Sequence, residues 1–121
     1  MKIVCVVFDD FEALDLFGPV EFLSGSPDAQ LSYVSMDGGL ISTKQGIQLY
    51  TQTMRDLESW AILLLPGGRG TRKVIENPLF LERLNELVNR SRWVLSVCTG
   101  SALWLEVVPW MTRLLPATNV P

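Results

Sequence analysis

Three short runs that are apolar at nearly every position constrain this chain most: residues 2–8 (Lys-Ile-Val-Cys-Val-Val-Phe), 61–65 (Ala-Ile-Leu-Leu-Leu) and 93–97 (Trp-Val-Leu-Ser-Val). A strand that is apolar at every position, not at every second one, is covered on both faces, and that is the situation of strands inside a parallel sheet flanked by helices. The three runs are therefore expected to be neighbouring parallel strands, with 2–8 central.

The segments between them fit this plan. Leu14, Phe17, Val20, Phe22 and Leu23 fall on a helical period, with Gly18-Pro19 expected to break or restart the helix near its first turn and Gly25-Ser26-Pro27-Asp28 to close it. Residues 31–36 alternate as a second, outer strand, and Asp37-Gly38-Gly39 turns the chain. Residues 40–43 and 47–51, separated by Lys44-Gln45-Gly46, read as a small hairpin appended to the sheet, and 56–59 as a short helical link. Pro66-Gly67-Gly68-Arg69-Gly70 stops the second apolar run in a glycine-rich turn; a short helix is expected over 71–76. Asn77-Pro78 starts a longer helix in which Leu79, Leu81, Leu84, Leu87 and Val88 recur, ending at Asn89-Arg90-Ser91. Strands alternating with helices predict one α/β domain, a mainly parallel sheet with right-handed crossovers.

Composition narrows the function classes. Apolar residues make up 48% of the 121 and charged residues 19%, which describes a globular chain. A net charge of −3 with no basic run argues against nucleic-acid binding. No apolar run is long enough to span a bilayer, and Met1-Lys2 leads straight into a strand, so the expectation is a cytoplasmic protein without a membrane partner. Cys5 lies mid-strand and reads as core. There is no histidine, which excludes a Cys-His dyad within these residues; no metal site and no cofactor are expected.

Chemistry converges where the strands end. Residues 93–97 break off into Cys98-Thr99-Gly100-Ser101, all small, as a sharp strand-to-helix turn requires. At its apex Cys98 would stand free, with the N–H of Thr99 near whatever the sulfur attacks and the positive helix end favouring thiolate. The alternative is a buried cysteine acting as a small apolar residue. Gly67 and Gly68 let the main chain approach a reacting atom, and the N–H of Gly68 with that of Thr99 forms a candidate oxyanion pair, unless the glycines only serve the turn. Asp9, Asp10 and Glu12 read as solvated loop acids. Asp15 sits between Leu14 and Leu16, where burial would favour a proton-carrying carboxyl group facing Cys98; the alternative is an acid held by the helix dipole.

Taken together, Leu14-Asp15-Leu16-Phe17-Gly18-Pro19-Val20-Glu21, Leu65-Pro66-Gly67-Gly68-Arg69-Gly70-Thr71-Arg72 and Ser96-Val97-Cys98-Thr99-Gly100 resemble the ThiJ/PfpI superfamily in order and spacing. The resemblance is strongest to its isonitrile hydratase branch and to ligand domains of related AraC-type regulators. It implies a flavodoxin-like three-layer sandwich, related to the class I glutamine amidotransferases, with a nucleophile elbow at Cys98. It also implies Asp15 as the acid facing Cys98, Thr99 as helper, Gly67 and Gly68 as binding or oxyanion donors, a small-molecule substrate and a homodimer for the intact fold. The peptidase branch follows its cysteine with a histidine, which is lacking here, so proteolysis is disfavoured.

The resemblance covers residues 2–103 and stops there; 104–121 diverge, with Pro109 and Trp110 where the family turns towards its next strand. A shift of reading frame is one hypothesis for this, to be decided by the coding DNA: permitted codons for 104–118 read one base back can yield Gly-Ala-Leu-Asp-Asp-Lys-Val-Ala-Thr-Ser-Asn, close to the family's continuation. A sheet incomplete at its C-terminus is expected to be poorly stable and weakly active. The readings that follow are a cysteine-dependent hydratase or hydrolase, a non-catalytic sensing module of the same fold, and an inactive truncated product.

Overall fold

The computed structural model describes residues 1–97; residues 98–121, with the expected elbow at Cys98 and Thr99 and the divergent tail, lie outside the described residues. Among the described residues six strands form one sheet: β1 (Lys2–Val6), β2 (Gln30–Ser35), β3 (Gly39–Ser42), β4 (Gln48–Thr53), β5 (Ile62–Leu65) and β6 (Trp93–Ser96), in the order β3-β4-β2-β1-β5-β6. Helices are α1 (Ala13–Leu23), the short α2 (Thr71–Val74) and α3 (Pro78–Arg90). The expected α/β fold with a mainly parallel sheet is what forms. β1 pairs parallel with β2 and with β5, and β5 pairs parallel with β6, in a register that sets Val4 beside Leu63 and Leu63 beside Val94. Among the described strands only β3 runs antiparallel to its neighbour. No helix of the described residues is long and apolar enough to cross a membrane.

From β1 the chain steps one way along the sheet to β2, and from β5 it steps the other way to β6. Right-handed crossovers in opposite directions place α1 and α3 on opposite faces. Ile3, Val4, Cys5 and Val6 are accordingly all buried. The point where the order reverses, between β1 and β5, is where open α/β sheets leave a crevice beyond the strand ends.

The structure differs from the sequence reading in five places. β2 is not the outer strand: it lies between β1 and β4, and the hairpin supplies the outer positions. Its polar residues fit there because Ser35 and Thr51 share a buried hydrogen bond of 2.6 Å and Thr51 also donates to the Gly39 carbonyl at 2.7 Å. Gly18-Pro19 does not break α1, which continues through Pro19. A proline inside a helix costs about 3 kcal/mol, and burial of Leu16, with Phe17, Val20 and Leu23 packed against the core, offsets it. The link after β4 is a 3₁₀ turn at Met54–Asp56, ahead of the expected 56–59. In α3 the buried face is Phe80, Leu84, Leu87 and Val88, whereas Leu79 is 44% exposed. Finally, β6 is the last strand among the described residues: Val94 is buried, but Leu95 is 38% exposed, so this run is not covered on both faces there.

Two anchors fix the faces. Asn77 caps α3 by accepting from the N–H groups of Leu79 and Phe80 at 3.1 and 3.3 Å, and Pro78 takes the first helical position, where its missing N–H costs nothing. At the other end of α3, Ser91 accepts from Trp60 Nε1 at 2.6 Å and donates to the Leu87 carbonyl, while Arg90 lies 4.6 Å above the Trp60 ring. The link between β4 and β5 is thereby tied to the helix that follows β5.

Cys5 is fully buried, as expected of a core cysteine, and burial pushes its thiol up to about 12 from 9.0. Its thiolate is therefore expected to be inaccessible in the folded chain: iodoacetamide at mildly alkaline pH should leave Cys5 unmodified and label it only in denaturant, read by mass spectrometry of its peptide. The same shift has a pH signature. The unfolded chain ionises Cys5 from about pH 9 while the folded chain resists to about 12, so its contribution to stability is complete below that window and is lost as pH rises through it.

Candidate functional site

The loop after β1 is held from both sides at the reversal point. Phe11, fully buried, bridges to Thr43 on one side and to Gly68 on the other. The hairpin supports it through Asp10 N–H to the Ser42 carbonyl (2.8 Å), Ser42 N–H to Asp9 Oδ1 (3.0 Å) and Lys44 N–H to the Phe11 carbonyl (2.9 Å). The glycine turn supports it through Glu12 N–H to the Gly67 carbonyl (2.8 Å) and Gly70 N–H to the Asp10 carbonyl (3.2 Å). Asp10 takes a positive φ of 65°, a conformation aspartate tolerates better than most residues. The ring of Phe11 meets those of Phe8 and Phe17 edge-on, each at 6.5 Å, which joins this loop to the core.

That clamp seats Asp15. It lies in the first turn of α1, is 6% exposed, and its Oδ2 accepts from the N–H of Gly67 at 3.3 Å across 52 residues of sequence. Asp15 thus stands near the positive helix end and is buried against the glycine turn. Gly67, read as a binding donor, gives its N–H to Asp15. Gly68 has φ +125°, and a Cβ there would come within 2.5 Å of the Glu12 nitrogen and 2.8 Å of the Asp10 carbonyl oxygen, so the approach of the 9–12 loop alone demands glycine. At the end of β6, Val97 donates to the Leu65 carbonyl at 3.0 Å, which sets the residue before Cys98 beside the residue before Pro66. Cys98 and Thr99 lie outside the described residues, and with them the expected pairing of Asp15 with the thiol.

Glu12, read from the sequence as a solvated loop acid, is partly exposed and is also paired. Gln45 Nε2 donates to its Oε2, Lys44 Nζ lies 3.9 Å from its Oε1, and Gln45 Oε1 accepts from the N–H of Ala13 at 3.2 Å. The hairpin tip therefore caps α1, whose own N-cap residue, Glu12, makes no side-chain cap bond. The turn-like Lys44-Gln45-Gly46 signals a hairpin but carries nothing that points to a helix start 32 residues away.

With this geometry in place, comparison with known protein families gives a match over most of the chain: residues 1–107 fit the DJ-1/PfpI family. The chain belongs to the DJ-1/PfpI family. The isonitrile hydratase of Pseudomonas putida is 32% identical over 102 residues, covering 84% of this chain and 45% of that enzyme. An uncharacterized protein from the cpoL 5′ region of Streptomyces lividans is 32% identical over 105 residues, 83% of this chain and 74% of its own. The crystal structure of a ThiJ/PfpI family protein from Pseudomonas syringae superposes with a TM-score of 0.81 at 22% identity, covering 88% of this chain and 45% of that one. This DJ-1/PfpI chain thus spans about half the length of that isonitrile hydratase and of that solved structure.

Proposed function

We propose that this DJ-1/PfpI domain performs cysteine-dependent hydration of a small electrophile of the isonitrile type, with Cys98 as nucleophile and Asp15 as its acid. The observation that carries the reading is the Asp15–Gly67 hydrogen bond, which holds a buried carboxyl group at the reversal point that β6 also approaches through Val97. The likeness to an isonitrile hydratase supports the substrate class. In this reading the Cys98 sulfur adds to the terminal carbon of R–N≡C while Asp15 delivers a proton, giving a thioimidate, R–N=CH–S–Cys. Water then adds to that carbon, and the thiolate leaves as the product N-substituted formamide forms, so the sum is isonitrile plus water to formamide. The N–H groups of Gly68 and Thr99 would stabilise the oxyanion that water addition creates. The proposed substrate is a small molecule, not nucleic acid or membrane; the proposed setting is the cytoplasm, without cofactor, with a homodimer proposed for the intact fold only.

The test is formamide formation from a panel of alkyl and aryl isonitriles, followed by NMR. Cys98→Ser is expected to abolish turnover and Asp15→Asn to lower it by about 10²- to 10⁴-fold, the range for losing a positioned acid or base. Turnover that survives Cys98→Ser would overturn the nucleophile, and isonitrile binding without any turnover would favour a sensing module of the same fold.

A further inference from the structure

Gln45 stands at the tip of the hairpin, exposed to solvent, yet its amide is engaged at both ends. Nε2 donates to Glu12 Oε2, and Oε1 accepts from the N–H of Ala13, the first residue of α1, at 3.2 Å. Only this orientation of the amide serves both partners, because turning it over would set N–H against N–H and oxygen against carboxylate. The backbone beneath it is fixed. Gln45 and Ile47 both donate their N–H groups to Thr43 Oγ1, at 3.2 and 3.0 Å, and Thr43 is buried. Gly46, at φ +88°, bonds through its N–H to the Thr43 carbonyl at 3.0 Å, and Lys44 N–H bonds to the Phe11 carbonyl. A cap carried on a pre-formed turn gives up little further freedom when it bonds.

The consequence falls on Asp15. Glu12 is bonded to Gln45 through its side chain, to the Gly67 carbonyl through its N–H at 2.8 Å, and to the N–H of Asp15 through its carbonyl at 3.1 Å. One short segment thus joins the hairpin tip to the carboxyl group that the Gly67 N–H meets at 3.3 Å. That last bond has little slack, since an N–H···O contact stretched to about 3.6 Å is no longer a hydrogen bond. A small turn of the helix start about its own axis would therefore break it. We propose that Gln45 is a positioning residue for Asp15: by holding Glu12 and the first N–H of α1, it fixes the first turn of the helix so that the Asp15 carboxyl group stays on the Gly67 N–H. The proposal rests on Asp15 as the acid of the proposed hydration, but the hydrogen bond is tested apart from activity.

The test pairs amide hydrogen exchange with kinetics. In Gln45→Ala the Gly67 amide is expected to exchange about tenfold faster while the amide of Leu64, fully buried in β5, keeps its rate, which tells a local release from a general loss of stability. For an isonitrile that the unaltered chain turns over, kcat should fall by about 10- to 100-fold with KM within about twofold, as when a catalytic group is held about 1 Å out of place. Glu12→Gln, which still offers Gln45 Nε2 an acceptor, should match the unaltered chain. Glu12→Ala should match Gln45→Ala, and the two alanines together should be no worse than either. Unchanged exchange at Gly67, equal acceleration at Leu64, an unaltered kcat, additive losses in the double variant, or damage by Glu12→Gln equal to that by Glu12→Ala would each overturn the proposal. If no isonitrile is turned over, the proposed function fails, and the exchange rates alone decide whether Gln45 places Asp15.

Discussion

Alanine at position 70 is expected to destabilise the fold by about 3 kcal/mol, at the upper end for an overpacking substitution. The backbone conformation of Gly70, φ −62° and ψ −18°, suits any residue, so the effect is purely steric. A Cβ there would overlap the Asp9 carbonyl oxygen and come within 2.9 Å of the Phe8 ring. Backbone atoms cannot swing aside as a flexible side chain can. The 9–12 and 66–70 loops would have to part, stretching the Gly70–Asp10 and Glu12–Gly67 hydrogen bonds that hold them, and the Asp15–Gly67 bond rests on the same contact. Urea unfolding of Gly70→Ala beside the unaltered chain measures the effect. A difference under about 0.5 kcal/mol, the usual range for an innocuous surface change, would show that the two loops are not clamped as described.

Truncating Phe80 should cost about 3–5 kcal/mol, a large part of the roughly 5–15 kcal/mol that holds a typical domain together. Phe80 is 1% exposed, and its ring meets that of Phe8 edge-on at 6.4 Å and 85°, joining α3 to the end of β1. The neighbouring Leu79→Ala should cost no more than about 0.5 kcal/mol, because Leu79 is 44% exposed. The pair of variants, compared by chemical denaturation, reads out which face of α3 meets the sheet. Equal losses, or a larger one at Leu79, would mean that the helix is rotated from the orientation described.

That comparison also marks where periodicity reaches its limit. Leu79, Leu81, Leu84, Leu87 and Val88 recur at helical spacing, and so do Phe80, Leu84, Leu87 and Val88. Both sets identify a helix, and only contact with Phe8 selects the second as its buried stripe. The limits of the same helix were legible for a local reason: Asn77 can satisfy the first N–H groups with its own side chain, and Pro78 has no N–H to satisfy. Pro19 was misread because its local penalty is real, and burial of Leu16 from outside the segment offsets it.

By itself the sequence determined the class of fold and picked out two segments, at Asp15 and at Gly67-Gly68, that meet beyond the strand ends. Continuous apolar runs identified β1, β5 and β6 as parallel neighbours, the Lys44-Gln45-Gly46 turn marked a hairpin, and the Asp15 and Gly67-Gly68 motifs marked the strand ends where they now meet. Only the tertiary structure decided that β2 is interior, that the hairpin tip caps α1 through Gln45, and that Gly68 and Gly70 must be glycine because the 9–12 loop passes against them. The physical reason is range. Burial, capping and turn conformation are properties of a few consecutive residues and leave a pattern in them, whereas steric contact between loops some 60 residues apart is set by the pairing of whole strands and leaves no mark on either loop alone.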